Sequence, residues 1–136
     1  MTTVSMDIIN HVEFPVADAE QSRRFYEAAL APLGLALVIS IEPASTVQGG
    51  ARHGFGKDGY PSIWVHGAEG LTKPIHVAFT AHDRATVDAF FSAALAHGGS
   101  DNGRPGIRER YHANYYAAYV LDPDGNNIEA VCQTEL

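Results

Sequence analysis

The chain is poor in cysteine: Cys132 is the only one in 136 residues. An internal disulfide is therefore excluded, and nothing marks the chain for an oxidising compartment. Basic residues are also scarce. Nine Lys and Arg stand against 16 Asp and Glu, a net charge of −7. Phosphate contacts need a basic face, so this balance argues against nucleic acid as a partner. Long apolar runs are missing, and no stretch approaches the length of a membrane span. Met1 to Ile8 has neither a basic start nor an apolar core, so no signal peptide is expected. These absences predict a cytoplasmic protein with no membrane partner. The hydrophobic share of 46% and the charged share of 18% are those of a globular chain, and residues 1–136 suit one domain with a real core.

What the chain does have is a repeat. Shifted by 65 positions, His11–Gly34 lies over His76–Gly99 with 10 identities in 24 positions and no gap. His11 falls on His76, Val12 on Val77, Phe14 on Phe79, Asp18 on Asp83 and Phe25 on Phe90. A run of Ala28, Ala29, Leu30 and Ala31 falls on Ala93, Ala94, Leu95 and Ala96, and Gly34 on Gly99. A fixed-period match of this kind implies two copies of one supersecondary unit.

Each copy reads as a strand, a helix and further strands. Ile8 to Val16 is strand-like, Asp18 caps a helix with Gln21 three residues on, and Pro32 and Gly34 stop it. Leu35 to Glu42 and Tyr60 to His66 are strands, with a Gly-rich region from Ala44 to Lys57 holding a short strand near Ala51–Phe55. The Asp58-Gly59 pair predicts a tight hairpin turn. In the second copy Ile75 to Ala81 is a strand, Asp83 caps a helix with Val87, Phe90, Ala94 and Leu95 on its buried stripe, and Gly98-Gly99 ends it. Ser100 to Gly106 reads as a loop, Tyr115 to Leu121 and Asn126 to Cys132 as strands around an Asp122-Pro123-Asp124-Gly125 turn. Module one spans about residues 7–66 and module two about 75–133, with Gly67 to Pro74 between them.

Strand parity adds a geometric expectation. Val12, Phe14 and Val16 form the apolar face that packs on the helix, which sends His11 and Glu13 to the other face. The same alternation sends His76 away from the helix in module two, and Glu129 away from Ile128 and Ala130 in the last strand. Two imidazoles at repeat-equivalent places and one carboxylate thus share a face. Such donors suit a borderline divalent ion: Fe²⁺, Mn²⁺, Zn²⁺, Ni²⁺ or Co²⁺.

The repeat, the two histidines and the tail Asp122-Pro123-Asp124-Gly125-Asn126-Asn127-Ile128-Glu129 resemble the vicinal oxygen chelate superfamily. That superfamily includes glyoxalase I, bleomycin-resistance proteins, fosfomycin-resistance enzymes and extradiol dioxygenases. The resemblance covers about Asp7 to Gln133. It implies an α+β fold of two βαβββ modules, a curved mixed sheet around a cavity with helices outside. It also implies one divalent metal ion held by His11, His76 and Glu129, a small oxygen-bearing substrate, and modules that can pair within a chain or in a homodimer. One position departs from glyoxalase I, which has a further carboxylate near the end of module one. Aligning the two Asp-Gly turns puts Ile63 opposite Glu129, and a one-residue slip puts Trp64 there; neither binds a metal. A two-histidine, one-carboxylate triad with open positions fits better.

The extradiol signature is matched in part, by His112, Tyr119, Pro123, Gly125 and Glu129. Arg110 and Ala118 depart from it, and extradiol enzymes of this lineage usually carry four modules. His112 and Tyr119 are candidate catalytic groups. Glu13 is a candidate base or an acceptor that orients an imidazole. Arginines in the loops, Arg52, Arg104, Arg108 and Arg110, suit an anionic substrate if they rim the cavity. The expectation is a metal-dependent enzyme, glyoxalase-like or dioxygenase-like. Its rival is a metal-free small-molecule-binding protein of the bleomycin-resistance kind, in which Trp64 and the tyrosines are stacking surfaces.

Overall fold

The computed structural model of the chain describes residues 7–45, 50–69 and 73–135. Residues 1–6, Gly49 and part of the expected connection between the modules lie outside them. Module one comprises β1 (Val12–Val16), α1 (Ala19–Leu30), β2 (Ala36–Ile41), β3 (Arg52–Lys57) and β4 (Tyr60–Gly67). Module two comprises β5 (His76–Thr80), α2 (Arg84–Ala96), β6 (Ser100–Ile107), β7 (Tyr116–Leu121) and β8 (Asn127–Cys132). The strands form two four-stranded sheets, ordered β1-β4-β3-β2 and β5-β8-β7-β6. The two orders are the same order, so the duplication seen in sequence is a duplication of topology. In each sheet the first strand pairs in parallel with the last, and the other pairs are antiparallel.

Local chemistry explains the helices. Asp18 caps α1 by accepting from the Gln21 amide at 3.0 Å. Asp83 caps α2 by accepting from the Thr86 amide at 2.8 Å. Gly34, with φ +82, ends the turn that follows α1. His97 stands at the end of α2, where its Nδ1 donates to the Ala93 carbonyl at 2.9 Å. The Asp58-Gly59 turn has φ +54 and +78, both left-handed, as a two-residue hairpin requires.

Both helices bury their apolar stripes in one core. Phe25, Tyr26, Ala29 and Leu30 of α1 and Val87, Phe90 and Ala94 of α2 are fully buried. Tyr26 packs edge-on against Phe25 and Phe14, and Phe14 and Val16 of β1 are buried as the alternation requires. Leu95 was expected on the α2 stripe and is 38% exposed. It follows Ala94 by one residue, and a 100° step carries it off the face that Ala94 shares with Phe90 and Val87.

Two further expectations change. Ser100–Gly106 is not a loop but most of β6. Its polar composition hides the strand, because edge pairing with β7 outweighs weak propensity. The pairing is broken at two places, around Gly103 and before Gly106, and Pro105 is tolerated because β6 is an edge strand. The register also settles the position equivalent to Glu129. Val12 pairs with Ile63 and Glu13 with Trp64, while Val77 pairs with Ile128 and Ala78 with Glu129. Trp64, rather than Ile63, therefore stands where module two has its carboxylate.

Candidate functional site

Glu129 is almost fully buried, 2% exposed, in the middle of β8. Its neighbours come from β5, β7 and the segment before β7. His76 Nε2 lies 3.0 Å from Glu129 Oε1, and the Tyr115 hydroxyl donates to Oε2 at 2.6 Å. Tyr119 is the β7 partner of Glu129 and stacks on the His76 ring, with centroids 6.4 Å apart. His76, Tyr119 and Glu129 line a cavity of about 300 Å³, together with Asn102, Arg110, Tyr111 and Asn127.

His76 is held at both nitrogens. Its Nδ1 lies 3.1 Å from the Asn127 carbonyl oxygen, which only accepts, so Nδ1 carries the proton of that bond. In the neutral ring Nε2 then presents a lone pair to the carboxylate. With the proton on Nδ1, that lone pair and the carboxylate are placed to share a cation; with the proton on Nε2, the ring donates to Glu129 instead. Burial, with the nearby Glu129 carboxylate, pushes the Tyr119 phenol up to about 12. Burial and the bond to Glu129 push Tyr115 up as well. Both stay protonated at neutral pH.

A second cluster lies on module one. Arg52 clamps Glu13 with two bonds, Nη2 to Oε1 at 2.7 Å and Nε to Oε2 at 3.2 Å. Its guanidinium sits 4.1 Å from the centre of the Trp64 ring. His66 Nδ1 approaches Glu13 Oε2 at 2.8 Å, off the line of a hydrogen bond. Burial raises the Glu13 pKa, but Arg52 and His66 together outweigh it, and the net shift is downward from 4.5. A depressed folded pKa stabilises the fold above the unfolded value and loses that contribution as pH falls through the folded one. The stability difference between the native protein and Glu13→Gln should therefore be full above the ordinary carboxylate range and close as pH falls through and below it, in urea titrations at each pH. A gap that stays constant to pH 3 would contradict the clamp.

Sequence and structure comparisons agree with this architecture. A sequence model of the Glyoxalase/Bleomycin resistance protein/Dioxygenase superfamily matches residues 8–130. The chain belongs to that superfamily. It is similar to a glyoxalase/bleomycin resistance protein from Albidiferax ferrireducens T118, with 27% identity, a TM-score of 0.71, and 91% of this chain and 97% of that one covered. A glyoxalase I mutant from Zea mays matches at 25% identity and a TM-score of 0.68 over 90% of this chain. The chain spans 45% of the maize protein's length. A glyoxylase/bleomycin resistance protein/dioxygenase domain from Frankia sp. EAN1pec shares the fold at 15% identity and a TM-score of 0.71, with 96% of this chain and 100% of that one covered. No curated protein sequence matches.

Against the superfamily's expected site, the structure unites some residues and separates others. His76, Glu129 and Tyr119 come together. His112 stands one step away: it packs edge-on against Tyr115 at 5.6 Å, and its ring nitrogens are engaged by Gln133 and the Asn114 amide. Glu13 belongs to the Arg52 cluster and does not line the Glu129 cavity. His11 is exposed, and its Nδ1 is 2.7 Å from Asn10 Oδ1, which also accepts from Tyr60. Among the described residues no three His, Cys, Asp or Glu side chains group as a cation site. A groove of about 580 Å³ lies along the edge strands β1 and β5, lined by Val12 and Ile63 on one side and His76, Val77 and Phe79 on the other. Asn102, Asn127 and Tyr111 carried no sequence signal as site residues. Asn102 was hidden in the polar stretch read as a loop, and only the β7 pairing brings it beside Asn127, to whose Oδ1 its amide donates at 3.2 Å.

Proposed function

We propose that this chain is a divalent-metal-dependent enzyme of the superfamily, glyoxalase-like or extradiol-dioxygenase-like, acting in the cytoplasm on a small substrate with neighbouring oxygens. The observation that carries the reading is the His76–Glu129 pair, in which an imidazole fixed through Nδ1 and a buried carboxylate face each other at 3.0 Å. The donor chemistry fits a borderline ion such as Fe²⁺, Mn²⁺, Zn²⁺, Ni²⁺ or Co²⁺. His11 of module one is the third donor in this reading. Because His11 does not join the pair within one chain, a homodimer supplies it from a second copy.

When bound, the ion is a Lewis acid that stabilises an enolate or oxyanion, or a site where oxygen is activated. The chain's own residues do the rest. Asn127 fixes the His76 ring through its carbonyl oxygen, and the Tyr115 hydroxyl fixes the Glu129 carboxylate. Tyr119 covers the imidazole and, as a protonated phenol, has a proton to hold toward a substrate oxygen. Asn102 and Asn127 line the wall with side-chain amides that orient such oxygens.

Metal content is the test. Protein stripped with EDTA and reloaded should take up about one equivalent per site, measured by elemental analysis after desalting. His11→Ala and Glu129→Ala should each lose it, and mixing the two unfolded variants and refolding them together should restore a fraction. No uptake under any loading would sink the enzyme reading; no restoration on mixing would sink the shared site alone. A second reading, a metal-free binding protein, is favoured by Trp64 standing where module two has Glu129 and by the lack of a three-donor group among the described residues. The same assay separates the two.

A further inference from the structure

The arginines of the two modules are used differently. In module one Arg23, Arg24 and Arg52 each have a glutamate partner. In module two Arg104, Arg108 and Arg110 fall within seven residues, in a protein of net charge −7; Arg110 lines the Glu129 cavity, and Arg108 lies against Tyr119, which also lines it. Arg104 is exposed and 3.8 Å from Asp101, a loose surface contact. Among the described residues Arg108 and Arg110 have no carboxylate partner within ion-pair distance.

Arg108 is nevertheless held in place. Arg108 lies 5.3 Å from the centre of the Tyr119 ring and donates from Nη2 to the Arg104 carbonyl at 2.6 Å. Its seat is made by missing side chains. A Cβ on Gly103 would come 3.2 Å from Arg108 Nη2, and a Cβ on Gly106 3.1 Å from Nη1. The bare backbone of β6 leaves room for the flat group. Arg110 lines the cavity itself and lies 5.1 Å from the centre of the Tyr111 ring, another cavity wall. An arginine stacked on an aromatic face and spared an ion pair keeps most of its five N–H donors, and its fixed fork matches a carboxylate. The cavity, about 300 Å³, suits a small metabolite.

We propose that this cavity selects a substrate bearing a carboxylate, gripped by Arg108 and Arg110 while its neighbouring oxygens face His76 and Glu129. The placement of those oxygens rests on the metal reading above; the carboxylate grip rests on the arginines alone.

The test is a matched pair of ligands with the same vicinal oxygens: catechol and 3,4-dihydroxybenzoate. Both are titrated calorimetrically into the full chain, metal-loaded and EDTA-stripped. The native protein should prefer the carboxylate by at least about tenfold in both forms. Arg110→Ala and Arg108→Gln should each reduce the preference, and the double variant should abolish it. Arg108→Lys, which keeps the charge but not the fork, should recover only part. Thermal unfolding of each variant checks that the fold survives. Equal affinity for the two ligands, a preference that persists in the double variant, or no binding of either ligand in either form overturns the inference. A preference that is present although no metal binds leaves the arginine grip standing and removes the metal reading.

Discussion

On the proposed metal reading, Glu129→Gln is expected to remove the thermal stabilisation that a divalent ion would give this protein while leaving the metal-free fold intact. An ion present at a hundred times its dissociation constant stabilises the state that binds it by about 2.7 kcal/mol. For a domain of this size that is a rise in Tm of about 10 °C. Replacing partners that merely orient a metal ligand typically costs 10- to 100-fold in affinity, so losing the ligand itself should cost at least about 100-fold. At the same ion concentration the stabilisation then shrinks to about 0.4 kcal/mol or less, a rise of at most about 2 °C. The metal-free comparison runs the other way. Glutamine has the same shape, its amide oxygen still accepts from Tyr115, and a buried charge is gone. Removing a buried ion while keeping its hydrogen bonds is often neutral or stabilising, so metal-free Glu129→Gln should unfold within about 1 kcal/mol of native or above it. Differential scanning fluorimetry with and without Mn²⁺, Zn²⁺ or Ni²⁺, against an EDTA control, reads both effects. A full ion-dependent rise in the variant would remove Glu129 from the site.

Asp122→Ala should be the most damaging single change at the turn between β7 and β8. Asp122 is 4% exposed, and both its oxygens are spent. Oδ2 accepts from the Tyr26 hydroxyl at 2.6 Å and from Asn126 Nδ2 at 2.9 Å. Oδ1 accepts from the backbone amides of Asp124 at 2.9 Å and Asn126 at 2.8 Å. The turn also reaches back to module one, where Asp124 Oδ1 accepts from the Ala17 amide at 2.8 Å, just before α1. Truncation strands several buried donors, the Tyr26 hydroxyl among them. Each stranded buried group costs about 1–3 kcal/mol, and with partial relaxation the loss should be about 3 kcal/mol, or about 10 °C in Tm. Tyr26→Phe in the Asp122→Ala background should recover part of the loss, because removing both partners of a buried bond is far cheaper than removing one. Chemical denaturation of the native protein, both single variants and the double variant checks this. A loss below about 1 kcal/mol for Asp122→Ala would show that the network is not what ties the modules together.

The same turn shows how a motif is legible in one sense and not in another. The Asp-Pro-Asp-Gly signature was readable as a turn before a strand, because Gly125 supplies the positive φ of +85 it needs. Its role as the hydrogen-bonding anchor of α1 was not, because Tyr26 and Asp122 lie 96 positions apart. Trp64 is a similar case. Sequence spacing left Ile63 and Trp64 as alternatives opposite Glu129, and only the parallel pairing of β1 with β4 chose between them. Polar β6 was misread for a related reason: an edge strand takes its identity from its partner rather than from its own residues. His66 is a case of the same kind: nothing local marks it, and only the parallel pairing of β1 with β4 sets it against Glu13.

By itself, the sequence determined the duplication, the two capped helices, the inward and outward faces of the strands, and the shared face of His76 and Glu129. All of these follow from local periodicity, capping chemistry and a repeat that places equivalent residues in equivalent strands. Tertiary structure alone decided that Glu13 serves Arg52 rather than Glu129, that Asn102 and Arg110 join the cavity, and that His11 stays apart from His76 within one chain. Those outcomes depend on strand register and on how one module sits against the other. Register shifts a side chain by whole residues, and contacts between distant segments leave no periodic trace in the chain that makes them.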